Sequence, residues 1–288
     1  PWVVQSWLAS LLYGVVEDLA GGTGLRLLMG ALTAGLAAMV WRLTRPSGSL
    51  IGRISLAAIA VGVGSGAWFE RPLLFGLLFL GVLLLQVDGE LDPRWALPMM
   101  WIWVNLHGSF PLGLVTVVAF AVGRRLDGEQ PGTELRLLRW AVAGTLLGAL
   151  NPLGPTLLSF PVHLLGRAQT LQYVTEWKSP TFDTMGQRLF LVQVALAIVL
   201  VVRKPTYRVA VPLALFTGAA LLGLRNVPVA SLVLLPGMAL GMRGIGSIDG
   251  TRRDGVTAVA AVVVAALSAV LVLNAVGQRD YDLETYPV

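Results

Sequence analysis

The chain has 288 residues, 56% hydrophobic and 13% charged, with mean hydropathy +0.75 and a formal net charge of +5; soluble domains carry about 25% charged residues, so most of this surface must meet lipid rather than water. The absence of cysteine excludes disulfides, thiolate metal sites and cysteine nucleophiles, and two histidines, His107 and His163, are too few for a histidine-rich metal site. The basic residues stand in short clusters between apolar runs, not in a stripe interleaved with aromatics, which argues against a nucleic-acid partner.

The chain opens with Trp2, Trp7, Leu8, Leu11, Leu12, Val15 and Val16 at helical spacing, with Gln5, Ser6, Glu17 and Asp18 between and after them. That pattern predicts an amphipathic helix over 2–19 lying in the membrane interface. A spanning helix needs about 20 mostly apolar residues. Counting polar ends into each crossing, the expected spans are 24–42, 53–68, 72–88, 95–107, 109–124, 136–151, 187–203, 208–224, 227–243 and 255–275. A further short segment, 156–166, reads as interfacial. Gly, Pro and charged residues punctuate the runs, as at Arg45-Pro46-Ser47-Gly48, Asp92-Pro93 and Asn151-Pro152-Leu153-Gly154-Pro155. Trp41, Trp68, Trp95, Trp101, Trp103 and Trp140 fall near expected ends, where an aromatic belt would sit. No alternation long enough for a transmembrane barrel is present, nor a sequence repeat. The predicted fold is therefore all-α: a polytopic transmembrane bundle of about ten spans with short interfacial helices. Residues 1–23 form the interfacial helix and an outer loop, and 24–275 the bundle. Residues 276–288 are expected to begin an outer C-terminal region, the chain being read as a piece of a longer protein.

Cation bias assigns the sides. With the loop holding Arg42, Arg45 and Arg53 inside, alternation places 14 of the 21 basic residues inside and seven outside, while the acids split eight and eight. The one departure is the acid-rich inner loop 88–94. The polar residues near span ends then gather outside: Glu17 and Asp18, Glu70-Arg71, Asn105 and His107, Asn151, His163, Glu176 to Lys178 with Asp183, and Arg225-Asn226. Polar groups at membrane depth are expensive and tend to mark a pathway or a site.

Each has a plain reading beside a functional one. Arg71, in a short hairpin, is either a snorkelling arginine or an anion-binding fork for a lipid phosphate. Arg225 sits on the side where orientation asks for no cation, which favours binding. Glu70 reads as a solvated turn residue. Asn105 and His107 interrupt an apolar region before Gly108. They are either interhelical hydrogen-bonding groups or substrate contacts, His107 having the chemistry of an acid, a base or a phosphate ligand. Asn151 reads as a cap. Glu176, Trp177 and Lys178 lie in the longest outer segment, 151–186, where Trp177 is an interface anchor or a sugar-stacking platform and Glu176 a candidate acid or base.

Arg71-Pro72-Leu73-Leu74-Phe75, Trp103-Val104-Asn105-Leu106-His107-Gly108-Ser109-Phe110 with Gly113, Asn151-Pro152-Leu153-Gly154 and Glu176-Trp177-Lys178-Ser179-Pro180, in that order, resemble a family of bacterial multi-pass proteins described as glycosyltransferase-like, of the GT-C membrane type. The opening Pro1-Trp2-Val3 to Trp7-Leu8 resembles the interfacial helix after that family's first outer loop. The resemblance implies a GT-C-like fold in the bacterial inner membrane. It also implies transfer of a sugar from a polyprenyl-phosphate carrier at the outer face, with an acidic residue acting as base or as ligand to a divalent cation (Mg or Mn) in a loop preceding Pro1. On that reading the catalytic residue is unassigned, with His107 and Glu176 as the candidates present. Arg71, Asn105, His107, Trp177, Lys178 and Arg225 would bind the lipid phosphate or substrate, and no metal ligand is assigned. The alternatives are a lipid or amphiphile transporter or flippase, which predicts an inverted repeat, and a non-catalytic cell-envelope scaffold.

Overall fold

The computed structural model describes residues 5–69, 71–166 and 173–244. Among them every regular element is helical: α1 (Trp7–Leu43), α2 (Leu50–Gly64), α3 (Leu73–Val87), α4 (Ala96–Leu106), α5 (Phe110–Leu126), α6 (Gly132–Leu147), α7 (Thr156–Leu165), α8 (Met185–Arg203), α9 (Tyr207–Leu222) and α10 (Val227–Gly241), with four short 3-10 turns. Local chemistry sets the starts. The Ser49 hydroxyl accepts from the Gly52 N–H at 3.0 Å to cap α2, and the Asp92 carboxylate accepts from the Arg94 N–H at 2.8 Å to begin the turn before α4. Asp127, just after α5, accepts from the Tyr207 and Arg208 N–H groups at 2.7 and 2.8 Å and so caps α9 from a neighbouring element.

The expected interfacial helix and first span fuse into α1, but the backbone breaks between them at Gly21, with φ 58° and ψ −159°, a conformation that only glycine adopts readily. Eight further expected spans each coincide with a helix, from α2 to α6 and from α8 to α10, and 156–166 coincides with α7. The expected span 255–275, the region 276–288, residues 1–4 and Glu70 lie outside the described residues. Five of these helices, α2, α3, α4, α9 and α10, are shorter than the expected crossings. By length and apolarity three stretches can cross a membrane unaided: Trp7–Ser47, Met185–Arg203 and Leu224–Gly241. The 15 residues of α3 rise only about 22 Å at 1.5 Å per residue, less than a hydrocarbon core of about 30 Å. The difference arises where polar ends counted into a crossing are caps and 3-10 turns instead of helix.

At the centre stands α10, apolar on all faces and buried from Val227 to Ala239. It packs against α1, α2, α3, α8 and α9, while α5 packs on α9, α4 on α6 and α1 on α3. Outward faces carry bare apolar side chains: Leu19, Leu222 and Val202 are 81, 78 and 73% exposed. The tryptophans do not all follow the expected belt. Trp41, Trp95 and Trp101 are exposed, but Trp103 and Trp68 are 1 and 9% exposed and belong to the core.

Helix direction alternates between two ends of the bundle. At one end Arg208 meets Asp88 at 3.0 Å, Arg124 meets Glu134 at 2.8 Å and Arg42 meets Glu90 at 2.6 Å. These residues close α9, α3, α5, α6 and α1, and all were assigned inside from cation bias. The acid-rich loop 88–94 thus has a reason to depart from that bias, since two of its carboxylates are ion-paired to arginines of neighbouring elements. The opposite end holds His107 and Arg225.

Candidate functional site

Two 3-10 turns build the His107 end: Thr175–Trp177 and Leu224–Asn226. They pack backbone to backbone, the Leu224 N–H donating to the Lys178 carbonyl at 2.9 Å. The result stacks the Arg225 guanidinium on the Trp177 ring, 4.1 Å from its centroid, a cation–π contact. Next to it Arg71 forms an ion pair with Glu176 and lies 4.4 Å from the Phe69 ring centroid.

Below these, the turn from α4 to α5 carries a second set. The Trp103 indole N–H donates to Ser109 Oγ at 3.1 Å, and Ser109 Oγ stands 2.8 Å from His107 Nδ1. The Ser109 backbone N–H also donates to Nδ1, at 3.2 Å. With Nδ1 occupied as an acceptor, neutral His107 carries its proton on Nε2, and Nε2 makes no hydrogen bond among the described residues. The Arg225 guanidinium is within electrostatic reach of this ring. Among the described residues Arg225 has no carboxylate partner, although it is only half-exposed. A cation held by an aromatic face, at the same end of the bundle as a histidine, is an arrangement suited to an anionic group.

The sequence-derived candidates thus divide. Arg71, His107, Glu176, Trp177 and Arg225 come together at one end, and the exposed Lys178 flanks them. Asn105 is 3% exposed, and its amide is engaged within the protein: Oδ1 accepts from the Trp7 indole N–H at 2.9 Å and Nδ2 donates to the Trp101 carbonyl at 2.8 Å. It fastens α1 to α4 and is a positioning residue, not a ligand contact. Asn151 likewise spends its side chain on its own turn, accepting from the Leu153 N–H at 2.7 Å and donating to the Gly148 carbonyl at 2.6 Å. Glu17, Asp18 and His163 are exposed and make no ion pair or hydrogen bond to the cluster. Among the described residues no three acidic or histidine side chains approach closely enough to hold a metal ion. Glu176 is taken by Arg71, so the described residues do not fit a divalent cation.

Ser109 and Gly76 were not singled out in the sequence. Ser109 links Trp103 to His107, and Gly76 of α3 leaves the room for it, since a Cβ there would overlap Ser109 Oγ and lie 3.1 Å from Trp103 Nε1. The spacing His-Gly-Ser before an apolar helix was the available signal for Ser109; nothing local marks Gly76. Gly76→Ala is expected to destabilise the fold by about 1–2 kcal/mol, read as a lower melting temperature in detergent, while the nearby Gly66→Ala, which meets no atom within 4 Å, should leave it unchanged.

No family model matches the chain, and no curated protein or solved structure is similar to it.

Proposed function

We propose that the chain is a polytopic membrane protein of ten spans with a GT-C-like arrangement, and that its His107 end binds the phosphate of a polyprenyl-phosphate carrier for sugar transfer at the extracytoplasmic face. The observation that carries this is Arg225: a partly buried guanidinium stacked on Trp177, without a carboxylate partner among the described residues, at the same end of the bundle as His107, whose Nε2 makes no hydrogen bond among the described residues. A phosphate monoester supplies the missing negative charge and accepts from both groups. Arginine suits this role because its planar fork matches phosphate geometry. Arg71 and Glu176 flank the position as a preformed pair; a phosphate would compete with Glu176 for Arg71 and release the carboxylate toward an acceptor hydroxyl. Bare apolar helix faces support the membrane setting, and helices that alternate between two ends support repeated crossing.

Purified protein in detergent should retain a polyprenyl monophosphate in preference to the uncharged polyprenol. Arg225→Ala should weaken that binding by about tenfold or more, the worth of one charge-assisted hydrogen-bonded contact, and Arg71→Ala should weaken it less because Glu176 already occupies that arginine. Equal retention of the alcohol and the phosphate, or wild-type affinity in Arg225→Ala, would remove the proposal.

A further inference from the structure

The opposite end of the bundle carries a recess. A cavity of about 820 Å³ opens between the loop after α3 and the first three turns of α6, walled in part by Arg94, Arg136 and Arg139. Its acids are already engaged. Glu90 accepts from Arg42 Nε at 2.7 Å, and Asp92 accepts from the Arg94 backbone N–H at 2.8 Å. The three guanidiniums are exposed and have no carboxylate partner among the described residues. The recess therefore presents a net positive wall.

What distinguishes it from an ordinary basic surface is the continuation along α6. Arg136, Arg139 and Trp140 are followed on the same side by Ala143, then by Leu146 and Leu147, which are 62 and 39% exposed. Residues three and four apart share a helix face, so cationic, aromatic and bare apolar groups succeed one another over about 16 Å of helix. A soluble phosphate compound would use only the first part of this row. An amphiphile uses all of it, with its head among the arginines, its neck beside Trp140 and its chain along the leucines.

We infer that this recess is a binding site for an anionic phospholipid headgroup from the leaflet at the Asp88 end. Basic pockets between helices on the cytoplasmic side hold such headgroups by charge, roughly additively per arginine. The inference needs the chain to lie in a membrane but does not need the carrier-phosphate site at the other end.

The test is bound lipid counted by native mass spectrometry on the full chain in detergent, titrated with phosphatidylglycerol, phosphatidylcholine and glycerol 3-phosphate. Phosphatidylglycerol is expected to bind in preference to phosphatidylcholine. Arg136→Gln with Arg139→Gln should weaken it by roughly tenfold or more. Ala143→Trp, which narrows the apolar part without touching charge, should weaken it as well. Arg203→Gln, an exposed cation outside the recess, should bind phosphatidylglycerol as wild type does. Wild-type binding in the double glutamine variant would overturn the inference. So would an equal loss in Arg203→Gln, which would reduce the effect to diffuse surface charge. Glycerol 3-phosphate binding as tightly as the lipid would overturn it in favour of a soluble phosphate ligand.

Discussion

Replacing Glu134 by alanine is expected to cost about 3–5 kcal/mol of stability, the magnitude for removing one partner of a buried ion pair. Glu134 is 0% exposed and lies in the first turn of α6. Its Oε1 accepts from Arg124 Nε at 2.8 Å and stands 3.6 Å from Arg208 Nε. Arg124 comes from the end of α5 and Arg208 from the start of α9, so one carboxylate joins three helices. Without it two largely buried guanidiniums face each other with less compensation, Arg208 keeping Asp88 at 3.0 Å and Arg124 keeping only the exposed Glu129. Glu134→Gln retains an acceptor and should lose less. Glu129→Ala removes the other partner of the same arginine, but Glu129 is 63% exposed, and water screens such pairs to about 1 kcal/mol or below. Thermal melts of the three variants in one detergent should rank E134A lowest, then E134Q, then E129A near wild type. An E134A melt equal to that of E129A would show that the network contributes little.

The contrast between those two glutamates also marks what the sequence could reveal. The helices were legible because apolar runs alternate with Gly, Pro and charge; Gly21, Gly48 and Gly128 each take a positive φ at a break between segments. The grouping of residues by end followed from alternation alone, and Arg71, Glu176, Trp177 and Arg225 do meet. Partnership was not legible. Nothing in the run Gly132-Thr133-Glu134 says that Glu134 is buried while Glu129 is bare, because both look like loop acids until α9 arrives from 80 residues away to pack on α5. Trp103 could not be told from a belt tryptophan for a related reason. A helix that is apolar along most of its length, as α4 is, has no periodicity to separate its outward face from its core face. Asn105 stayed open between an interhelical hydrogen bond and a ligand contact because the sequence does not show that Trp7, at the start of α1, donates to it.

Among the described glycines, the contact of α4 with α6 sets the tightest steric limit, and Gly144→Val is expected to break it. Gly144 and Gly148 stand four apart on α6, the small-residue spacing that lets membrane helices approach closely. A Cβ at Gly144 would overlap the Leu97 carbonyl oxygen and lie 2.9 Å from Leu97 Cα. These are backbone atoms of α4, so no change of rotamer relieves the overlap and the helices must part. Overpacking of this kind costs about 1–3 kcal/mol where side chains can yield; here the loss should reach or exceed the upper figure. At Gly148, which caps α6, a Cβ would lie 2.7 Å from both the Thr145 carbonyl oxygen and the Val104 Cβ, so Gly148→Ala should destabilise the fold as well. Gly30, inside α1 with no atom within 4 Å of its Cβ position, is the control. Gly30→Ala should be neutral or gain up to about 1 kcal/mol from helix propensity. Displacing α4 also moves Trp103 and the His107 turn it anchors, so Gly144→Val should lose carrier-phosphate binding at temperatures where its helical circular dichroism is still intact. A variant that melts like Gly30→Ala would mean that α4 and α6 do not touch at this point.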